Sequence, residues 1–111
     1  MCPDLMKKCA GYEPSLDKLV FALCLDFDRR ERAIADGSVS HRTEMEYRYI
    51  NYRMLSAAEE ICGDSARIYI DEVASRTGYA GSEIANAAEV TYKLRKLAVK
   101  QNIARSLHLL D

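Results

Sequence analysis

The chain has 111 residues, of which 49% are hydrophobic and 30% are charged, and it contains only five glycines and two prolines. This composition excludes a disordered, collagen-like or low-complexity chain and predicts a single globular domain over residues 1–111. The sequence contains no apolar run of about 18 residues and no basic segment followed by an apolar stretch. We therefore expect a cytoplasmic protein without a membrane span.

The formal net charge of −1 is unevenly distributed along the chain. From Lys93 onward there are five positive residues and one negative residue, Asp111, whereas the preceding part is net acidic. A basic end on an acidic body is typical of a nucleic-acid-binding surface, because phosphate contacts supply most non-specific affinity. It is also typical of a helix with a solvated cationic face, so charge alone leaves both interpretations open.

The cysteine and histidine pattern does not indicate a metal site. The four cysteines are Cys2, Cys9, Cys24 and Cys62. They are at least seven residues apart, which excludes a C-x-x-C pair. We expect four reduced thiols in a chain without a secretory signal. His41 and His108 are far apart in sequence, and we interpret neither as a metal ligand. Nucleotide-binding, metalloprotease and nucleophile-elbow motifs are absent, so we expect no metal, no cofactor and no enzymatic activity.

The spacing of the apolar residues predicts an all-α fold, a small bundle of about four helices. Residues 1–14 lack this spacing and are predicted to be irregular. The first helix is expected to begin at Ser15, with Asp17 in its first turn, and to end at Gly37. Its highly charged end, residues 28–32, is predicted to face water. The other three helices are predicted over about 41–62, over 64–77, and from about Ser82 to the C-terminus.

Residues 70–87 resemble a DNA-binding helix-turn-helix. In that motif a small residue on the first helix, here Ala74, lets the second helix approach closely. Four residues later Gly78 suits a turn that needs a positive φ. The apolar positions that hold the two helices together are matched by Val73, Tyr79, Ile84 and Ala87. The sequence therefore predicts a helix-turn-helix within residues 64–111.

The resemblance identifies candidate DNA contacts, because the N-terminal residues of the second helix would face the major groove. Ser82 and Asn86 are the candidates for contacts to base edges or phosphates. Glu83 and Glu89 depart from the pattern, since they would repel phosphates. Three lysines later in the predicted helix share one face and are candidate phosphate anchors: Lys93, Lys96 and Lys100.

A wider resemblance covers residues 68–110, carried by Thr77-Gly78-Tyr79, Thr91-Tyr92-Lys93-Leu94-Arg95-Lys96 and the segment 102–110. This part is similar to the C-terminal half of small phage-encoded transcriptional regulators of the ArpU/RinA type, which are distantly similar to the DNA-binding part of sigma factors. The resemblance implies a bacterial or prophage origin and transcriptional control through double-stranded DNA. The alternative hypothesis is a non-enzymatic helical module that binds another protein, for example a phage-encoded inhibitor of a host system.

The last predicted helix carries a second apolar stripe, nearly opposite to the one that begins at Ile84. Its members are Val99, Ile103, Leu107 and Leu110. Three alternatives account for it: the helix breaks near residues 99–102, the stripe forms a homodimer interface, or it packs back onto the first helix of the same chain.

Overall fold

The computed structural model describes residues 12–84 and 88–110, and all of the regular secondary structure in these ranges is helical. The α-helices are α1 (Pro14–Leu25), α2 (Phe27–Asp36), α3 (His41–Cys62), α4 (Ala66–Ser75) and α5 (Glu89–Ser106). Short 3₁₀ turns lie at Gly63–Ser65 and Tyr79–Gly81. The predicted all-α class is confirmed. Within the described ranges, every helix is too short or too polar to cross a membrane.

The predicted first helix is divided into α1 and α2 at Asp26. It also starts earlier than predicted, because Glu13 is the N-cap residue and Pro14 occupies the first turn. The guanidinium of Arg30 lies beside the break and donates at 2.6 Å to the Leu23 carbonyl oxygen and at 2.6 Å to Oδ1 of Asn51 in α3. Arg30 is only 3% exposed. The prediction that the whole charged segment faces water is therefore wrong at Arg30.

The second predicted helix matches α3 at both ends. Gly37, in the left-handed conformation at φ 63°, ends the preceding helix α2 as predicted. The Ser40 hydroxyl then accepts a hydrogen bond from the Thr43 amide at 3.3 Å, which caps the N-terminus of α3. These boundaries follow from local signals, a glycine that permits positive φ and a serine in the N-cap position.

One hydrophobic core receives side chains from all five helices. The long helix α3 packs against α2, α4 and α5, and α1 packs against α4 and α5. The core comprises Val20, Cys24, Phe27, Met54, Ala57, Ala58, Ala66, Tyr69, Ile70, Val73, Tyr92, Val99, Ile103 and Ala104.

Cys24 and Cys62 are both free thiols. Burial raises the pKa of Cys24 to about 12 and the pKa of Cys62 to about 11. Both thiols are therefore protonated at neutral pH, and the thiolate is the form that attacks substrates or ligates metals. Cys2 and Cys9 lie outside the described residues.

The C-terminal apolar stripe packs inside the chain. The helix α5 runs without a break through residues 99–102. Val99 and Ile103 have no solvent exposure, and Leu107 and Leu110 are partly buried against the core. Val99 and Ile103 are therefore not available for the predicted homodimer interface, because they are fully buried within their own chain. The helix has apolar residues on opposite faces because it contacts α3 as well as α1 and α4.

The connection between α4 and α5 differs from the predicted helix-turn-helix. The left-handed residue that ends α4 is Arg76, at φ 57°, whereas Gly78 is extended at φ −89°. The next helix begins at Glu89 instead of Ser82. Residues 76–84 contain a single 3₁₀ turn and no α-helix, where the motif has a turn of about three or four residues followed by the second helix. The predictions of a positive φ at Gly78 and of a helix from Ser82 are wrong.

Alanine at Gly37 and alanine at Gly78 should therefore have opposite effects on stability. Gly37→Ala is expected to lower the free energy of unfolding by about 1–2 kcal/mol, because the methyl group opposes the left-handed backbone. Gly78 has an ordinary φ and nothing within 4 Å of an added Cβ. Gly78→Ala should raise the free energy of unfolding by about 0.4–1 kcal/mol by restricting the unfolded chain. Urea unfolding of both variants tests this, and a larger loss for Gly78→Ala would contradict the observed connection.

Candidate anion-binding cleft

A cleft of about 440 Å³ opens between α1, the C-terminal end of α4, and α5. It is lined by Pro14, Asp17, Lys18, Phe21, Val73, Arg76, Lys96 and Lys100. Four of these side chains are cationic and one is a carboxylate. A concave surface with this excess of positive charge concentrates anions, because the low-dielectric walls focus the electrostatic field.

Arg76 forms one wall of the cleft from a strained backbone position. Its amide donates to the Val73 carbonyl at 3.2 Å, and the Thr77 amide donates to the Glu72 carbonyl at 3.0 Å. These two bonds form a Schellman ending, in which glycine is the usual left-handed residue. The Arg76 guanidinium lies 4.4 Å from the centroid of the Phe21 ring in α1. A non-glycine residue in this conformation is uncommon, and it carries a cost in backbone strain.

Lys96 reaches the cleft from α5 and binds the residue that follows Arg76. Its ammonium group donates to the Thr77 carbonyl oxygen at 2.5 Å. Burial lowers the pKa of Lys96, and the nearby charge of Lys100 lowers it further. An ammonium group has three N–H donors, so the bond to Thr77 leaves donors for an anion in the cleft.

Lys100 is paired with the only carboxylate that lines the cleft within the described residues. Its ammonium nitrogen lies 2.9 Å from Oδ1 of Asp17, which also accepts a hydrogen bond from the Tyr12 hydroxyl at 2.8 Å. Partial burial opposes ionisation of Asp17, but the bonds from Lys100 and Tyr12 outweigh it and hold the pKa of Asp17 below its usual value. Asp17 is therefore ionised at neutral pH and partly neutralises the cleft.

The buried carboxylate of Glu72 holds the connection that follows Arg76 against the core. Glu72 is 5% exposed. Its Oε1 accepts from the hydroxyls of Ser82 at 2.7 Å and Tyr92 at 2.8 Å, and its Oε2 accepts from the Glu83 amide at 3.0 Å. Burial, followed by the bond to Glu72, raises the pKa of Tyr92 to about 12, which keeps its hydroxyl a donor. The Tyr92 hydroxyl also lies 3.3 Å from the Thr77 carbonyl oxygen, which binds Lys96.

The structure describes one of the two predicted base-contacting residues, Ser82. The Ser82 hydroxyl points to Glu72, and Ser82 lies in an extended segment rather than on a helix. Asn86 lies outside the described residues. The physical reason for the difference at Ser82 is the buried carboxylate, which binds three donors and keeps this segment out of a helix.

The three predicted phosphate anchors fall into two groups. Lys96 and Lys100 line the cleft, and both already have partners within the chain. Lys93 is exposed on α5, with its ammonium nitrogen 3.7 Å from the Glu89 carboxylate. The sequence did not predict Lys18 and Arg76 as cleft residues. The spacing of residues along the chain does not indicate that α1 and the end of α4 pack beside α5.

The residues predicted to pack the motif are mostly in contact with the core. Ala74, Tyr79 and Ile84 are partly buried against it, and the Tyr79 ring meets the Tyr92 ring edge-on with centroids 5.7 Å apart. Gly78 is exposed. Among residues 12–84 and 88–110, no group of three or more His, Cys, Asp or Glu side chains is arranged to hold a metal ion.

Comparison with known proteins does not assign a function, so the function is inferred from the chemistry of this chain. No family model matches the sequence, and no curated protein or solved structure matches it.

Proposed function

We propose that this protein binds double-stranded DNA without catalysing a reaction, and that it regulates transcription in a phage or prophage. The observation that carries the proposal is the convergence of four cations from α1, the end of α4, and α5 on one cleft. Phosphate neutralisation by Lys and Arg supplies most of the affinity of proteins for DNA. The regulatory part of the proposal rests only on the sequence resemblance of residues 68–110 to phage regulators.

The chemistry of the cationic residues suits a phosphate backbone. Arg76 presents a planar guanidinium, which can donate two parallel hydrogen bonds to phosphate oxygens. Lys93, exposed on the same helix as Lys96 and Lys100, extends the positive surface along α5. From Lys93 to Lys100 the helix advances about 10 Å, and duplex DNA carries one charge for about every 1.7 Å of its axis. Several phosphates are therefore within reach of this surface.

Contacts of this kind position DNA without distinguishing its sequence. Because Glu72 already engages the Ser82 hydroxyl, Asn86 is the remaining proposed base-contacting residue. We therefore expect the cleft to supply the affinity that all DNA sequences share, and Asn86 to supply any preference for one base position.

Removing the two exposed cations of the cleft should weaken DNA binding. The variant combines Lys18→Gln with Arg76→Asn, since asparagine tolerates the left-handed conformation. Affinity for a random-sequence duplex should fall about tenfold, and the slope of log affinity against log salt should become shallower by about 0.9 for each lost phosphate contact. Fluorescence anisotropy between ~50 and ~200 mM salt measures both quantities.

The matched control removes the same charge elsewhere, by Arg32→Gln with Arg42→Gln. Both arginines are exposed, and neither lines the cleft. Their loss should change affinity by no more than about twofold, because neither side chain lines the cleft and exposed charges are screened by salt. Equal losses in the two variants would assign the binding to bulk charge. Absence of binding by every variant at ~50 mM salt, where screening is weakest, would refute the DNA proposal.

A protein-binding module is the second candidate, and an exposed stripe on α3 favours it. Met45, Tyr49 and Tyr52 are 55%, 50% and 68% exposed, and their spacing puts them on one helical face. Tyr and Met are enriched at protein interfaces. A photo-crosslinker introduced at Tyr52 should then form one discrete adduct in cells that express the protein. The same crosslinker at Arg32 is the control, and similar adduct patterns from the two positions would refute this alternative.

A further inference from the structure

The ion pair between Asp17 and Lys100 closes one side of the cationic cleft. Asp17 belongs to α1 and Lys100 to α5, and the ammonium nitrogen lies 2.9 Å from Oδ1 of Asp17. The Asp17 side chain is 43% exposed and the Lys100 side chain is 22% exposed. The carboxylate thus lies where an anion in the cleft would meet Lys100.

We propose that Asp17 is an internal competitor for Lys100, and that it restricts the cleft to ligands that present several phosphates together. This inference rests on the proposed binding of DNA. A carboxylate oxygen and a phosphate oxygen are both charged acceptors for an ammonium group, so a ligand in the cleft competes with Asp17 for Lys100 and can displace it.

The position of Asp17 makes this displacement feasible. Ion pairs between partly exposed side chains contribute little to stability, because water competes with both charges. The Tyr12 hydroxyl donates to Oδ1 of Asp17 at 2.8 Å, so the carboxylate has a second donor when Lys100 turns away. The displaced carboxylate is also exposed enough to be hydrated. Lys100 is therefore available to a competing anion without leaving a buried charge unpaired.

Discrimination between ligands follows from the number of charges that each one brings. A monoanion that replaces Asp17 exchanges one ionic contact to Lys100 for another, so it gains little binding free energy. A polyphosphate chain or a DNA backbone also reaches Lys18, Arg76 and Lys96, which line the same cleft. The ion pair consequently lowers the affinity for every anion, and only multivalent anions recover the loss.

Asp17→Asn removes the competing charge while keeping the size of the side chain. We expect the variant to bind a random-sequence duplex about fivefold more tightly than the wild type, as removal of one repulsive charge near 4 Å predicts. The affinity of the variant for inorganic pyrophosphate, measured by titration calorimetry, should increase by a similar factor. Glu13→Gln is the matched control, because Glu13 is an exposed acid at the same end of α1 that does not line the cleft. Its effect should be at most about twofold, because this carboxylate is exposed to water and does not line the cleft, and exposed charges are screened by salt.

The two probes separate failure of this inference from failure of the proposed function. If wild type binds DNA and Asp17→Asn binds no more tightly than Glu13→Gln, the competitor role is overturned and the DNA proposal stands. If no variant binds DNA but Asp17→Asn binds pyrophosphate more tightly, the competitor role stands and the DNA proposal falls. Asp17→Ser is a second charge-removing variant. If circular dichroism shows that Asp17→Asn and Asp17→Ser are both unfolded, the ion pair with Lys100 has a structural role and the inference is overturned.

Discussion

Replacing Glu72 with alanine is expected to lower the free energy of unfolding by about 2–4 kcal/mol, because buried donors would lose a charged acceptor. Three groups depend on it: the hydroxyls of Ser82 and Tyr92 and the amide of Glu83. Release of these bonds should also free residues 77–84 from α4. Urea unfolding followed by circular dichroism measures the stability, and hydrogen exchange of the Glu83 amide measures the release.

Glu83→Ala is the control for this experiment, since it removes an exposed acid from the same segment. Its effect should stay within about 0.5 kcal/mol, as for most surface substitutions. Tyr92→Phe, combined with Glu72→Ala in a double-mutant cycle, isolates the 2.8 Å bond between the two side chains. If Glu72→Ala and Glu83→Ala were equally mild, Glu72 would not hold the connection to the core.

Ile103→Asp is expected to unfold the protein. Ile103 has no solvent exposure, so the carboxylate would be buried in the core without a partner. A penalty above about 4 kcal/mol is expected for such a change, which approaches the total stability of a small domain. Circular dichroism should show loss of helix, and gel filtration should show an expanded or aggregated chain.

Leu109→Asp is the matched control at the same end of the chain, because Leu109 is 38% exposed. This variant should remain folded, with an unfolding midpoint close to that of the wild type. A folded Ile103→Asp variant that forms a smaller particle than the wild type would instead assign Ile103 to a subunit interface.

Local signals in the sequence were enough to predict much of the secondary structure. The helix α3 begins after Ser40, whose hydroxyl caps its N-terminus, and ends at Cys62, which Gly63 follows directly. Gly37 ends α2 because glycine adopts a positive φ without steric cost. The all-α class follows from apolar residues that recur every three or four positions. Each of these signals depends on neighbours within a few residues, which the sequence displays directly.

Only the tertiary structure decided which polar residues are buried and which cations meet. Arg30 lies in a charged run, yet it is buried because its partners, Leu23 and Asn51, come from two other helices. Glu72 resembles an ordinary surface acid in sequence, but its donors lie ten to twenty residues further along the chain.

The turn and the cleft depend on the same long-range contacts. The bonds to Glu72 hold residues 77–84 against the core, and the left-handed residue is Arg76 instead of Gly78. The cleft then forms because helices distant in sequence pack side by side and bring Lys18 and Arg76 beside Lys96. Helical periodicity states which face of a helix is apolar, but it does not state which other helix will cover that face. Packing across the whole core determines which faces pair. The sequence therefore predicted Lys96 and Lys100 as anion contacts but not Lys18 and Arg76.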